Sequence, residues 1–96
     1  MPDAIEKDNI SIMRKRLTFR SWHRGTREMD LMLGRFAEAC LPEMGEAELG
    51  LYDRFLDNND PDIFNWVSGY EPVPVEERNA VVDKLLAFYG VSTGGA

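Results

Sequence analysis

The sequence predicts an all-α protein, a compact five-helix bundle forming a single domain over its 96 residues. Three observations lead there. Apolar residues recur at the i, i+3, i+4, i+7 spacing of an amphipathic helix, and no stretch alternates with the period of two that a half-buried strand needs. The periodic stretches break at glycine or proline, at Gly25, Pro42, Pro61 and Gly69. The links left between them are short, as helical neighbours in a bundle require.

A first helix is expected over about 9–23, with Asp8 as its N-cap and Ile10, Met13 and Leu17 along one stripe. It stops near Gly25. A second runs from about Thr26 to Cys40 and carries Met29, Met32, Leu33, Phe36 and Cys40; Leu41-Pro42 ends it, because the residue before proline avoids helical geometry. The third, about 46–58, repeats the pattern through Leu49, Tyr52, Phe55 and Leu56. Asp60-Pro61 announces a fourth, an aspartate cap followed by proline in the first turn, with Ile63, Phe64, Trp66 and Val67 before Gly69. After the stiff connector Glu71-Pro72-Val73-Pro74, a fifth helix over about 75–89 presents Val82, Leu85, Leu86 and Tyr89 and stops at Gly90. Residues 1–8 and 91–96 are expected as flexible tails, with Thr93–Ala96 fraying.

Composition narrows the function classes. An apolar share of 44% is enough for one core, and a chain of this size buries about two-thirds of its unfolded surface. No apolar run approaches the roughly 20 residues that span a bilayer, and the acidic start Met1-Pro2-Asp3-Ala4-Ile5-Glu6 is neither a secretory signal nor a transit peptide. Cys40 is the only cysteine, so there is no intramolecular disulfide, and a reduced, cytoplasmic compartment fits. The net charge of −6 is unevenly spread: residues 1–27 hold seven Lys/Arg against three acids, and residues 28–96 hold four against fourteen. Arg14, Lys15, Arg16, Arg20, Arg24 and Arg27, with His23, occupy one acid-free stretch. As a helix it is about 20 Å long, more than the screening length of about 8 Å, so a partner docked there meets a local positive field on an otherwise acidic protein.

Little in the chain suggests an enzyme. One histidine and one cysteine, His23 and Cys40, carry no mark of a dyad, and there is no glycine-rich phosphate loop. Asp57-Asn58-Asn59-Asp60-Pro61-Asp62 looks like the start of a calcium loop, but Asp62 stands where that loop needs glycine and Ser68 where it needs glutamate. Cys40 reads as a buried, inert thiol and His23 as an exposed side chain. Tyr52, Phe55, Phe64, Trp66, Phe88 and Tyr89 read mostly as core. Two readings stay open for Trp22, inward packing and an apolar anchor on a docking surface. At the junction of the first two helices, Gly25 suits a positive-φ turn and Glu28 the first turn of the following helix.

That junction also carries a resemblance. Arg24-Gly25-x-x-Glu28, followed by Asp30 and by Phe36-Ala37-Glu38, resembles the Arg-Gly-x-x-Glu motif of the SdhE family of bacterial assembly factors, relatives of a mitochondrial succinate dehydrogenase assembly factor. Phe55-Leu56 with Asp60-Pro61-Asp62-Ile63-Phe64-Asn65-Trp66 is similar to a second family segment, with Ile63 in place of the commoner leucine. The resemblance covers about residues 10–90 and implies a five-helix, non-enzymatic factor, monomeric on its own and not inserted in a membrane. It implies binding to the flavoprotein subunit of succinate dehydrogenase, and to that of fumarate reductase, to promote covalent attachment of FAD to a histidine of the partner. No tightly bound cofactor is implied, and at most a transient contact with FAD through the partner. Carried onto this chain, the partner-binding residues are Arg24, Gly25 and Glu28, with Asp30 and the adjoining Trp22, His23 and Arg27. The alternative reading is a helical nucleic-acid-binding module using residues 14–27 to track phosphates, which the sequence pI near 4.7 disfavours.

Overall fold

The computed structural model of the chain describes the backbone of residues 2–91 and the side chains of residues 9–91. Among the described residues are α1 (Pro2–Trp22), α2 (Arg27–Cys40), α3 (Glu46–Phe55), α4 (Asp60–Val67) and α5 (Ala80–Phe88), two short 3-10 turns at Leu41–Glu43 and Val75–Glu77, and no β-strand. This is the all-α class that the period predicts. The chain divides into two compact units, Met1–Gly50 and Leu51–Ala96, with the boundary inside α3. Of the ends expected to be flexible, Met1 and residues 92–96, including the expected fraying at Thr93–Ala96, lie outside the described residues.

In the first unit α1 packs on α2, and the 3-10 turn at Leu41–Glu43 packs on both. Leu17, Met29, Leu33, Phe36, Ala37, Leu41 and Met44 are buried there, each burial worth up to about 1.5–3 kcal/mol for a full-sized side chain. Asp8 does not cap α1. The helix already runs from Pro2, and after that proline no glycine or proline interrupts it before Gly25. Ser21 is buried, and its hydroxyl donates to the Leu17 carbonyl at 2.8 Å, so the polar group enters the core satisfied. Cys40 is half-buried rather than buried, because the chain tightens at the end of α2 and Leu41, 1% exposed, takes the inward position.

Arg14 is committed internally. Its Nε donates to the Leu41 carbonyl at 3.0 Å and its Nη2 to the Met44 carbonyl at 2.7 Å. These flank the 3-10 turn where α2 ends, and a helix end leaves carbonyls that need such donors.

In the second unit α4 packs on α5. Tyr52, Phe55, Leu56, Ile63, Trp66, Val67, Val81, Val82, Leu85 and Leu86 are buried, with Phe55 and Trp66 rings 6.0 Å apart and tilted by 47°. Three boundaries differ from expectation. α3 ends at Phe55, after which Asp57 and Asn58 close tight turns onto the Arg54 and Phe55 carbonyls. The cap of α4 is Asn59, whose side chain accepts from the Asp62 N–H at 3.0 Å, leaving Asp60 inside the helix. α5 starts only at Ala80, where Asn79 caps it by accepting from the Val81 and Val82 N–H groups at 2.9 and 3.0 Å. Phe64 and Phe88 are 37% and 42% exposed and Tyr89 is half-buried, so only half of the six aromatics expected in the core are fully there.

Candidate functional site

All seven positions singled out by the sequence gather in the first unit, at the junction of α1 and α2. Trp22 is the last residue of α1; Arg27, Glu28 and Asp30 lie in the first turn of α2. Between them the chain reverses at Gly25, whose φ of +114° is accessible without strain only to glycine. A Cβ built at Gly25 meets nothing within 4 Å, so the position faces open space. Thr26 then returns to extended geometry and caps α2, its Oγ1 accepting from the Met29 N–H at 3.3 Å.

Asp30 shapes this turn from within. Its Oδ1 accepts from the Arg24 N–H at 2.5 Å and from the Gly25 N–H at 3.3 Å. Expected as a weaker contact residue, it is a half-buried carboxylate tied to the backbone of the motif. Arg24 is half-buried, whereas Gly25, Arg27 and Glu28 are exposed. His23 is exposed as expected; its ring stacks on Phe19 with centroids 3.9 Å apart, and Nδ1 lies 2.7 Å from the Phe19 carbonyl. A carbonyl only accepts, so Nδ1 carries the proton.

The two readings of Trp22 turn out not to exclude each other. The indole is half-buried over Gly34 of α2, where a Cβ would fall onto its Cδ2, Cε2 and Cε3 atoms. Its Nε1 donates to the Glu38 Oε2 at 3.2 Å. Trp22 and His23 also line two open depressions. One, of about 580 Å³, includes Gly25, Arg27 and Asp30; the other, of about 420 Å³, includes Lys15, Phe19 and Pro42 and is mostly apolar. Ile12 and Phe19 of α1 are 64% and 62% exposed.

Sequence reasoning missed Gly34, although a signal was present. A lone glycine inside a helix costs about 1 kcal/mol relative to alanine and usually has a packing reason. It also missed the inward roles of Arg14 and Asp30, for which the local sequence holds no sign.

An exposed, charged turn, tied to Asp30 from below and flanked by two open depressions, marks a small helical protein with an accessible surface at the α1–α2 junction. The more particular assignment comes from comparison with known proteins. The family model described as flavinator of succinate dehydrogenase matches residues 15–89, and the chain belongs to that family. It is 33% identical over 92 residues to the FAD assembly factor SdhE of Acetobacter pasteurianus, an overlap of 96% of this chain and 84% of that protein. It is 43% identical over 88 residues to the mitochondrial succinate dehydrogenase assembly factor 2 of Scheffersomyces stipitis, covering 88% of this chain and 59% of the relative. With the corresponding factor of Dictyostelium discoideum it shares 41% over 81 residues, 84% of this chain and 57% of the relative. The chain thus spans less than two-thirds of the length of these two mitochondrial relatives. No solved structure matches. Among the described residues no helix is long and apolar enough to cross a membrane.

Proposed function

We propose that this chain binds the flavoprotein subunit of succinate dehydrogenase and promotes covalent attachment of FAD to it, with Arg24, Gly25 and Glu28 as the contact residues. One observation carries the reading. In a chain of the flavinator family, the Arg24-Gly25-x-x-Glu28 signature sits on an outward-facing turn whose backbone Asp30 pins from inside. A turn held this way can meet a partner without first being ordered, which lowers the cost of binding. Gly25 lets a partner backbone approach closely, and Arg24 and Glu28 offer charge-assisted hydrogen bonds across the interface.

The factor acts without chemistry of its own. The bond forms between the flavin and a histidine of the partner, and holding that domain in the reactive arrangement can remove several kcal/mol of the barrier. The rival reading of residues 14–27 as a phosphate-tracking helix loses one of its six cations, since Arg14 is bound to the Leu41 and Met44 carbonyls. The proposed compartment is the cytoplasm, in keeping with a lone cysteine.

The test is in-gel flavin fluorescence of the denatured flavoprotein after incubating its apo form with FAD and limiting amounts of the factor. Arg24→Ala and Glu28→Ala are expected to slow labelling by tenfold or more, as loss of about 2 kcal/mol of interface energy implies. Wild-type rates with both variants would remove these residues from the site. The same assay on the fumarate reductase flavoprotein tests the second partner.

A further inference from the structure

Gly34 has no assigned role, yet the Trp22 indole packs directly over it. It is buried in the middle of α2, and the Trp22 indole occupies the space that its side chain would take. No other described glycine has a neighbour so placed: a Cβ at Gly25, Gly45, Gly50 or Gly90 meets nothing within 4 Å, and one at Gly69 only touches Val91 at an ordinary 3.7 Å. Any residue other than glycine at position 34 must therefore evict the indole. A tryptophan ring is rigid and has two torsions, so it cannot yield by bending its far end.

The seat has a second fastening. With its ring on Gly34, Trp22 reaches Glu38 one turn further along α2 and donates to it at 3.2 Å. Residues 34 and 38 lie on the same face of α2, so the helix presents a flat bed and an acceptor at the i, i+4 spacing. The indole held there forms a wall common to the depression beside Gly25 and Arg27 and to the apolar one beside Phe19 and Pro42.

We propose that Gly34 is a positioning residue for the docking surface: it seats Trp22 flat on α2 so that the indole stands beside the Arg24–Glu28 turn as an apolar anchor for the flavoprotein partner. The inference rests on the function proposed above. It assigns Gly34 an action through Trp22 alone and no contact with the partner.

Three variants and the wild type test it: Gly34→Ala, Trp22→Ala and the double variant. Alanine propagates a helix better than glycine, which offsets part of the indole packing lost, so Gly34→Ala should stay folded with a modestly lowered melting temperature. Acrylamide quenching reports the indole, since Trp66 is 6% exposed and contributes a constant protected signal. Gly34→Ala should raise the quenchable fraction and weaken binding to the apo-flavoprotein about tenfold or more, the loss typical of a displaced interface anchor. In the Trp22→Ala background, Gly34→Ala should have no further effect on binding, because the group it displaces is gone. The inference is overturned by unchanged quenching, by wild-type affinity in Gly34→Ala, or by an equal loss in both backgrounds. If wild-type protein fails to bind the flavoprotein, the underlying function falls and this inference with it; wild-type binding that Gly34→Ala leaves intact overturns this inference alone.

Discussion

Gly25 and Asp30 divide one task. At φ +114° Gly25 occupies a region closed to L-residues with a side chain, while a Cβ there has no neighbour to strike. Gly25→Ala is thus a pure backbone perturbation, expected to cost about 1–3 kcal/mol. In a domain of this size each kcal/mol lowers the melting temperature by about 4–8 °C, which calorimetry resolves. Asp30→Ala removes the acceptor for the Arg24 and Gly25 N–H groups, and we expect about 1–2 kcal/mol of destabilisation with weaker partner binding. Glu28 is exposed and should tolerate alanine within about 0.5 kcal/mol. A Glu28→Ala protein that melts far below wild type would make Glu28 a structural residue instead.

Helix ends decide stability at the next scale. Asn59 and Asn79 cap α4 and α5 through side-chain oxygens, so each alanine replacement should cost about 1 kcal/mol in chemical denaturation. The end of α2 depends on a more distant group, the Arg14 guanidinium, which bridges two carbonyls three residues apart. Lysine offers a point charge without the planar fork, so Arg14→Lys should recover only part of the loss seen in Arg14→Ala. Full recovery would mean that charge near the helix end, not the bidentate geometry, is what matters.

At the scale of the whole molecule, continuity and charge make separate predictions. α3 runs without a break through the boundary between the two units, between Gly50 and Leu51. Trp22 belongs to the first unit and Trp66 to the second. Single-tryptophan variants should therefore melt together and with the far-ultraviolet helix signal, as one cooperative transition requires. Two separated midpoints would show units that unfold independently. Residues 1–27 carry seven Lys/Arg against three acids, in a protein of net charge −6. Association with the flavoprotein should accordingly slow as salt shortens the screening length from about 30 Å at 0.01 M to about 8 Å at 0.15 M. A rate independent of salt would take the basic stretch out of the encounter.

Five helices and the turn at Gly25 were legible in the residues themselves, because both follow from local rules. The spacing of Met29, Leu33 and Phe36 needs only neighbours within two turns, and Gly25 announces a reversal by its own conformational freedom. Arg24, Gly25 and Glu28 stood out through the resemblance of their spacing to a family motif. Caps were less legible: Asn59 and Asp60 are both good caps by type, and only the extended backbone at Asn59 decides between them. Solvent exposure of Phe64 and Phe88 also escaped the helical period, which identifies a stripe but not how far a neighbouring element covers it. What tertiary structure alone decided are the contacts across the chain. Arg14 meets a carbonyl thirty residues away, and Trp22 meets Glu38 sixteen away with Gly34 beneath it. Such pairs are chosen by the packing of α1 on α2, where a shift of one residue along either helix would put the indole against a side chain instead of a bare backbone.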